Sequence, residues 1–225
     1  MPNYEIKCWN EHTFDVDSIP WVKEAIERKK WSLASDYIRH YAVYTEGGIY
    51  LDTDVFVYKS FDDFLKYDFF TSVESHPISF ESSGKFQVDG NGILLKSNQI
   101  VDGMGLLAAT FGASRGNIFI KECMDYFGGR HFINEDGTLF ENIINPGIMA
   151  MILYKYGFRY VDEEQRLNHN MIVFPSSIFA GDVMTKTEKS YSMHWCDCSW
   201  RTDKLNMINR VRLFLETHFP NIFRK

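Results

Sequence analysis

Residues 34–57 read ASDYIRHYAVYTEGGIYLDTDVFV. The spacing predicts a helix over about 34–45, stopped at Gly47-Gly48, because glycine accepts the left-handed conformation that ends a helix. Ile49-Tyr50-Leu51 then reads as a short buried strand. Asp52-Thr53-Asp54 lies at its C-terminal end, and 55–58 continues extended. On a strand, carboxylates two residues apart point to the same face. Two like charges so placed repel, and burying either alone is costly. A divalent cation resolves both problems, and oxygen ligands suit Mg²⁺ or Mn²⁺. A diphosphate can complete such a coordination sphere. A solvated turn at a strand end has the same D-x-D pattern, so the pair acquires meaning only from its surroundings.

Those surroundings begin in the helix. Asp36 and Arg39 are three apart and share one helical face. If the helix starts near Ala34, Ser35 and Asp36 occupy its first turn, where free N–H groups and the helix dipole favour anions. Arg39 is then placed for a phosphate or a ribose-side oxygen. A surface Asp–Arg pair would contribute little to stability.

Working outward, YEIKCW at 4–9 alternates enough to predict a strand. Ser18 and Pro20 predict the cap and first turn of a helix to about Trp31. A short helix follows over 60–65 and a strand over 69–73, with Glu74 at its end. The polar stretch 75–90 reads as loop, and strands are expected at 93–95 and 106–110. Asn117 caps a helix whose Ile120, Cys123, Met124 and Phe127 share a face. Pro146 opens another helix, Ile172 to Phe174 reads as a strand before Pro175, and Asp203 caps a last helix over about 203–219. Helices alternating with short apolar strands predict an α/β sandwich with a largely parallel sheet. Ligands in such sheets collect at the C-terminal ends of strands, where Asp52 and Asp54 lie.

The chain has 225 residues, 45% apolar and 24% charged, which suits one domain spanning 1–225. Aromatics at 16% serve the core and also suit the faces of sugar rings. A net charge of −6 gives no long-range attraction to nucleic acid. Cys8, Cys123, Cys196 and Cys198 form no disulfide framework and read as free thiols. Residues 1–5 lack the basic start of a secretory signal, and no run approaches the roughly 20 apolar residues of a membrane span. A cytoplasmic protein is expected, with any contact to the inner membrane face made through its substrate.

Taken together, Ser35, Asp36, Arg39, Gly47, Gly48, Tyr50, Asp52 and Asp54 resemble the motif of the DXD-containing sugar transferases, glycosyltransferase family thirty-two. That family includes bacterial capsular and lipopolysaccharide transferases. The resemblance implies a GT-A fold for nucleotide-diphospho-sugar transfer, a mixed, mostly parallel sheet flanked by helices, a retaining reaction and dependence on Mn²⁺ or Mg²⁺. It implies donor contacts from Ser35, Asp36, Arg39, Tyr50 and Asp52, with Asp52 and Asp54 at the metal. The implied donor is a UDP-sugar, with GDP-mannose second, and the implied acceptor is a saccharide or lipid-linked saccharide. Family members begin with a further strand before the segment like residues 2–6, so that first strand is expected to be missing here.

The C-terminal region carries the resemblance further. Family members close with a His-containing strand and an S-W step. Here YSMHW at 191–195 is followed by Ser199-Trp200. His194 is the implied late metal ligand, and Ser199 and Trp200 the implied lid over the phosphates. Met193 stands where the family commonly has another His. Cys196 and Cys198 beside His194 lack a fourth ligand and the usual zinc spacing. Gly103 to Asn117 resembles the family's segment near donor sugar and acceptor, and Asp102, just before it, is the implied sugar-contacting carboxylate on the donor side. Asn145-Pro146-Gly147 resembles a pocket-shaping step. Two rival readings remain: a non-catalytic or truncated nucleotide-sugar binder, and a D-x-D phosphohydrolase with Asp52 as nucleophile. Phe56 and the preceding double glycine argue against the second.

Overall fold

The computed structural model describes residues 4–140 and 144–195. Ser199, Trp200, Cys196, Cys198 and the helix expected at 203–219 lie outside them. The chain enters through α1 (Pro20–Glu27) and α2 (Trp31–Glu46). Pro20 sits in the first turn of α1, but Ser18 does not cap it: its hydroxyl donates to the Asp15 carbonyl, and Ile19 is the N-cap residue. The segment 4–9 has no regular structure. Its Ile6 is 93% exposed, so the alternation seen in its sequence buries no apolar face there.

Beyond α2 come β1 (Gly48–Leu51), β2 (Val55–Val57) and β3 (Phe69–Ser75). A short helix α3 (Pro77–Ser82) interrupts the stretch expected to be loop. The strands β4 (Met104–Leu106) and β5 (Thr110–Ala113) precede α4 (Ile118–Gly128) and α5 (Asn145–Leu153). Asn117 caps α4 as its sequence implies, accepting from the Phe119 and Ile120 N–H groups. Residues 93–95 form no strand; Leu94 makes an isolated bridge to Val88. The chain continues through β6 (Gln165–Leu167), β7 (Met171–Phe174), β8 (Phe179–Ala180) and β9 (Ser192–His194).

The main sheet has the order β1-β5-β3-β7-β6, with β4 also on β3. It is mixed, and the expectation of a mostly parallel sheet is wrong: β3–β7 is its parallel pairing, and β1–β5, β3–β5, β3–β4 and β6–β7 are antiparallel. The reason lies in the connections. Parallel neighbours need a long crossover. Here β4 and β5 lie antiparallel along β3, and β5 separates it from β1. Even so, β1, β3 and β7 run the same way, so their C-terminal ends lie along one edge of the sheet.

Strand alternation divides the interior. Phe69, Val73, Met171 and Val173 face the larger core with α1, α2, α4 and α5. Phe70, Ile172 and Phe174 face a second core with Phe61, Phe64 and Phe179. That second core lies under a small sheet ordered β2-β9-β8. Among the described residues, no helix is long and apolar enough to cross a membrane.

Candidate active site

One irregularity in the sheet builds the site. Val73 pairs with Leu106 and Phe70 with Gly112. Between these pairs β3 has residues 71 and 72, whereas its partner has 107–111, three more. The surplus bulges out between β4 and β5, which is why the single strand expected at 106–110 is split. Bulges of this kind redirect backbone groups near functional sites. The bulge is anchored on β3, with Leu107 N–H donating to the Ser72 carbonyl and the Thr71 hydroxyl to the Leu107 and Thr110 carbonyls. Its Ala109 carbonyl accepts from Asp52 N–H at 2.9 Å, and its Ala108 carbonyl from Arg39 Nη1 at 2.9 Å.

Gly47 has φ +73°, and a Cβ there would meet the Arg115 backbone nitrogen at 2.9 Å. The turn from α2 into β1 therefore requires glycine. It places Tyr50 and Asp52 beside Arg39. Arg39 is 7% exposed and bonded on every side. Its Nε donates to the Ser35 carbonyl at 3.2 Å and its Nη2 to Ser35 Oγ at 2.7 Å. Asp36 Oδ1 is 3.2 Å from Nη2, and Asp52 Oδ1 is 3.3 Å from Nη1. The guanidinium also lies 4.9 Å over the Tyr50 ring.

Burial pushes the Asp36 carboxyl up, to about 7; Arg39 opposes the rise and the Asp52 charge adds to it. Burial by itself would lower Arg39, but Tyr50, Asp52 and Asp36 outweigh it and hold the cation. The arrangement differs from the sequence expectation in one respect. Because α2 begins at Trp31, Ser35 and Asp36 lie beyond its first turn and its free N–H groups. They meet Arg39 instead.

Asp52 faces two ways. Its Oδ1 accepts from Tyr50 Oη at 2.6 Å and lies against Arg39. Its Oδ2 is 3.7 Å from His194 Nε2, which is itself 3.1 Å from Asp54 Oδ1. The small sheet delivers the histidine: β2 and β9 pair with Val55 opposite His194, and Trp195 N–H donates to the Asp54 carbonyl at 2.8 Å. Burial works against a charged His194, but the Asp54 bond and the Asp54, Asp52 and Glu74 charges prevail and raise its pKa.

One ligand atom each from Asp52, Asp54 and His194 lies within 4.8 Å of the others. Two carboxylate oxygens and an imidazole nitrogen fit a divalent cation of the Mn²⁺ type, with Mg²⁺ less suited to the nitrogen. Tyr50 and Arg39 then act behind the ligand set, orienting one of its carboxylates.

Asp102 lies apart from this cluster, in a neighbouring cavity, where its carboxylate accepts from Ser83 Oγ. Glu74 joins the two places: it lines the cavity, and its charge acts on both Arg39 and His194. Sequence reasoning reads Glu74 as a strand end that also faces the cleft. It missed His40 and its bond to Asn145, the two meeting in the core at 3.1 Å between α2 and α5. A histidine within an apolar helix, far in sequence from an asparagine, gives no local sign of such a bond.

An acidic pair, a histidine and a buried arginine gather at the C-terminal edge of a mixed α/β sheet, with three ligand atoms close enough together for one cation. Residues 1–71 match the family model described as glycosyltransferase sugar-binding region containing DXD motif. That segment contains Ser35, Asp36, Arg39, Tyr50, Asp52 and Asp54, so the likeness supports a sugar transferase. No curated protein and no solved structure matches the chain.

Proposed function

We propose that the protein is a metal-dependent, retaining glycosyltransferase of the GT-A type, transferring a hexose from a nucleotide-sugar, preferably a UDP-sugar, to a saccharide acceptor. GDP-mannose is the second candidate donor, and surface polysaccharide synthesis at the inner membrane face is the setting that suits it. The observation that carries this reading is the convergence of Asp52 Oδ2, Asp54 Oδ1 and His194 Nε2, the two carboxylates coming from the turn between β1 and β2, not from a strand as their spacing suggested, and the imidazole from β9.

A divalent cation held there would neutralise charge on the diphosphate leaving group. The chain's own residues prepare for it. Tyr50 and Arg39 hold Asp52 in one rotamer, so the metal-facing oxygen needs no reorganisation. Asp54 and His194 are fixed through the β2–β9 pairing. Arg39 is a positioning residue in this account, since Ser35, Asp36, Ala108 and Asp52 take up its donors. In the transfer, the acceptor oxygen bonds to the anomeric carbon as the bond to the diphosphate breaks, and the hydroxyl proton departs on the leaving diphosphate. Attack from the face of departure retains configuration and needs no protein nucleophile. Ser199 and Trp200 are proposed to cover the phosphates.

The phosphohydrolase reading loses ground to the same geometry. A nucleophilic Asp52 would need an accessible oxygen in line with phosphorus, yet one of its oxygens is taken by Tyr50 and Arg39 and the other lies toward His194. To test the proposal, the protein is incubated with a panel of UDP- and GDP-sugars and Mn²⁺, and released nucleoside diphosphate is measured. Release with at least one donor, abolished by EDTA, is expected. No release and no donor binding across the panel contradicts the proposal.

A further inference from the structure

A cavity of about 360 Å³ is lined by Glu74, whose charge also acts on Arg39 and His194 of the candidate site. Such a volume falls in the range of small-ligand pockets. Glu74 stands at the C-terminal end of β3, the same sheet edge as Asp52. Asp102 contributes a second carboxylate, and His76 Nε2 lies 3.1 Å from Glu74 Oε1. Apolar walls come from Ile100, Met104 and Met151. Gly105 keeps the floor close-packed, because a Cβ there would meet the Pro146 backbone at 2.9 Å. Among the described lining residues none is lysine or arginine.

Charge decides what this cavity admits. The N-terminus of α5 offers at most about half a positive charge near Pro146. Two carboxylates outweigh it, and His76 is paired with one of them. An anionic group placed here would be repelled by both carboxylates. Carboxylates facing a ligand instead accept from hydroxyl or amino groups. Apolar side chains opposite them suit the C–H face of a pyranose ring.

The geometry points to an acceptor site here, selective for a saccharide unit that carries hydroxyl or amino groups and no carboxylate or phosphate. This rests on the transferase reading but concerns a different ligand and different residues. In the transfer, the acceptor hydroxyl supplies the oxygen of the new glycosidic bond and gives up its proton to the leaving diphosphate, so no further reactant is needed. Glu74 and Asp102 are binding groups that orient the acceptor and exclude anionic ones.

The test uses the full chain labelled with ¹³C-methyl methionine and follows the Met104 and Met151 signals. Methyl α-glucopyranoside and its uronate, which differ by a carboxylate, are titrated separately. The neutral glycoside is expected to shift both signals and to bind at least about tenfold more tightly than the uronate. Glu74→Gln with Asp102→Asn should narrow that ratio to about threefold or less, and added salt should narrow it in the unaltered protein. If that variant does not fold, the salt series on the unaltered protein carries the test. Equal binding of both glycosides, tighter binding of the uronate, or no shift with either overturns the inference. Binding of UDP with Mn²⁺, measured in parallel, stands or falls with the transferase reading alone.

Discussion

The two sides of Asp52 differ sharply. Toward α2 its neighbours are buried and bonded to one another: Arg39 is 7% exposed and tied to Ser35, Asp36 and the bulge. Toward β2, Asp54 and His194 are partly exposed, at 29% and 18% of their side chains, with their ligand atoms drawn together. One side is closed by its own contacts; on the other, three potential ligand atoms lie within 4.8 Å of one another. The difference teaches that a single carboxylate can belong to both sides, one oxygen tied to Tyr50 and Arg39 and the other turned toward His194 in the proposed metal site.

Substitutions on the two sides should therefore separate in their effects. The largest effect on turnover falls on the open side. Asp54→Ala should lower sugar transfer by about three orders of magnitude, roughly 4 kcal/mol of barrier. Its unfolding free energy should change by less than about 0.5 kcal/mol, read by denaturant titration. On the closed side, Arg39→Met leaves Asp36 and Asp52 without their cation. It should cost about 3 kcal/mol of stability or more, with activity lost alongside. An Arg39 variant as stable as the unaltered protein would break the comparison.

Tyr50→Phe sits between the two. It removes a phenol whose proton burial holds firmly in place, Arg39 opposing and Asp52 reinforcing. Mn²⁺ affinity should fall about tenfold, measured by titration calorimetry, and stability by about 1 kcal/mol.

The smallest effect concerns pH. Burial pushes His40 down, to about 3 from 6.5, against a smaller raising effect of the Asn145 bond. Below about 6.5 the unfolded chain protonates this histidine while the folded protein does not, so its contribution to stability falls as pH falls toward 3. His40→Gln escapes that loss. Its stability deficit should shrink between pH 7 and pH 5, by at most about 1.4 kcal/mol per pH unit. A deficit that grows on acidification would contradict the assignment.

Much of this organisation is legible in residues 34–57. The helix, its glycine stop, the strand and the acidic pair follow from spacing and from the conformational freedom of Gly47. The Asn117 cap and the helix at Pro146 were equally local and equally readable. What escaped depends on pairing across the sheet. The three-residue surplus at 107–109 exists only relative to β3, and no property of Leu107-Ala108-Ala109 announces it. The sheet direction was misread for the same reason, because β5 inserts between β1 and β3 by long-range register. Arg39 drew notice as an anion ligand; its burial among carbonyls and carboxylates is a tertiary property.

Calorimetric titration of Mn²⁺ into the protein, with and without UDP, and into Asp54→Ala, addresses the central claim most directly. The account predicts that Mn²⁺ and UDP tighten each other's binding and that Asp54→Ala abolishes this coupling while remaining folded. UDP binding that ignores Mn²⁺, or an Asp54→Ala protein that binds both as the unaltered chain does, would contradict it.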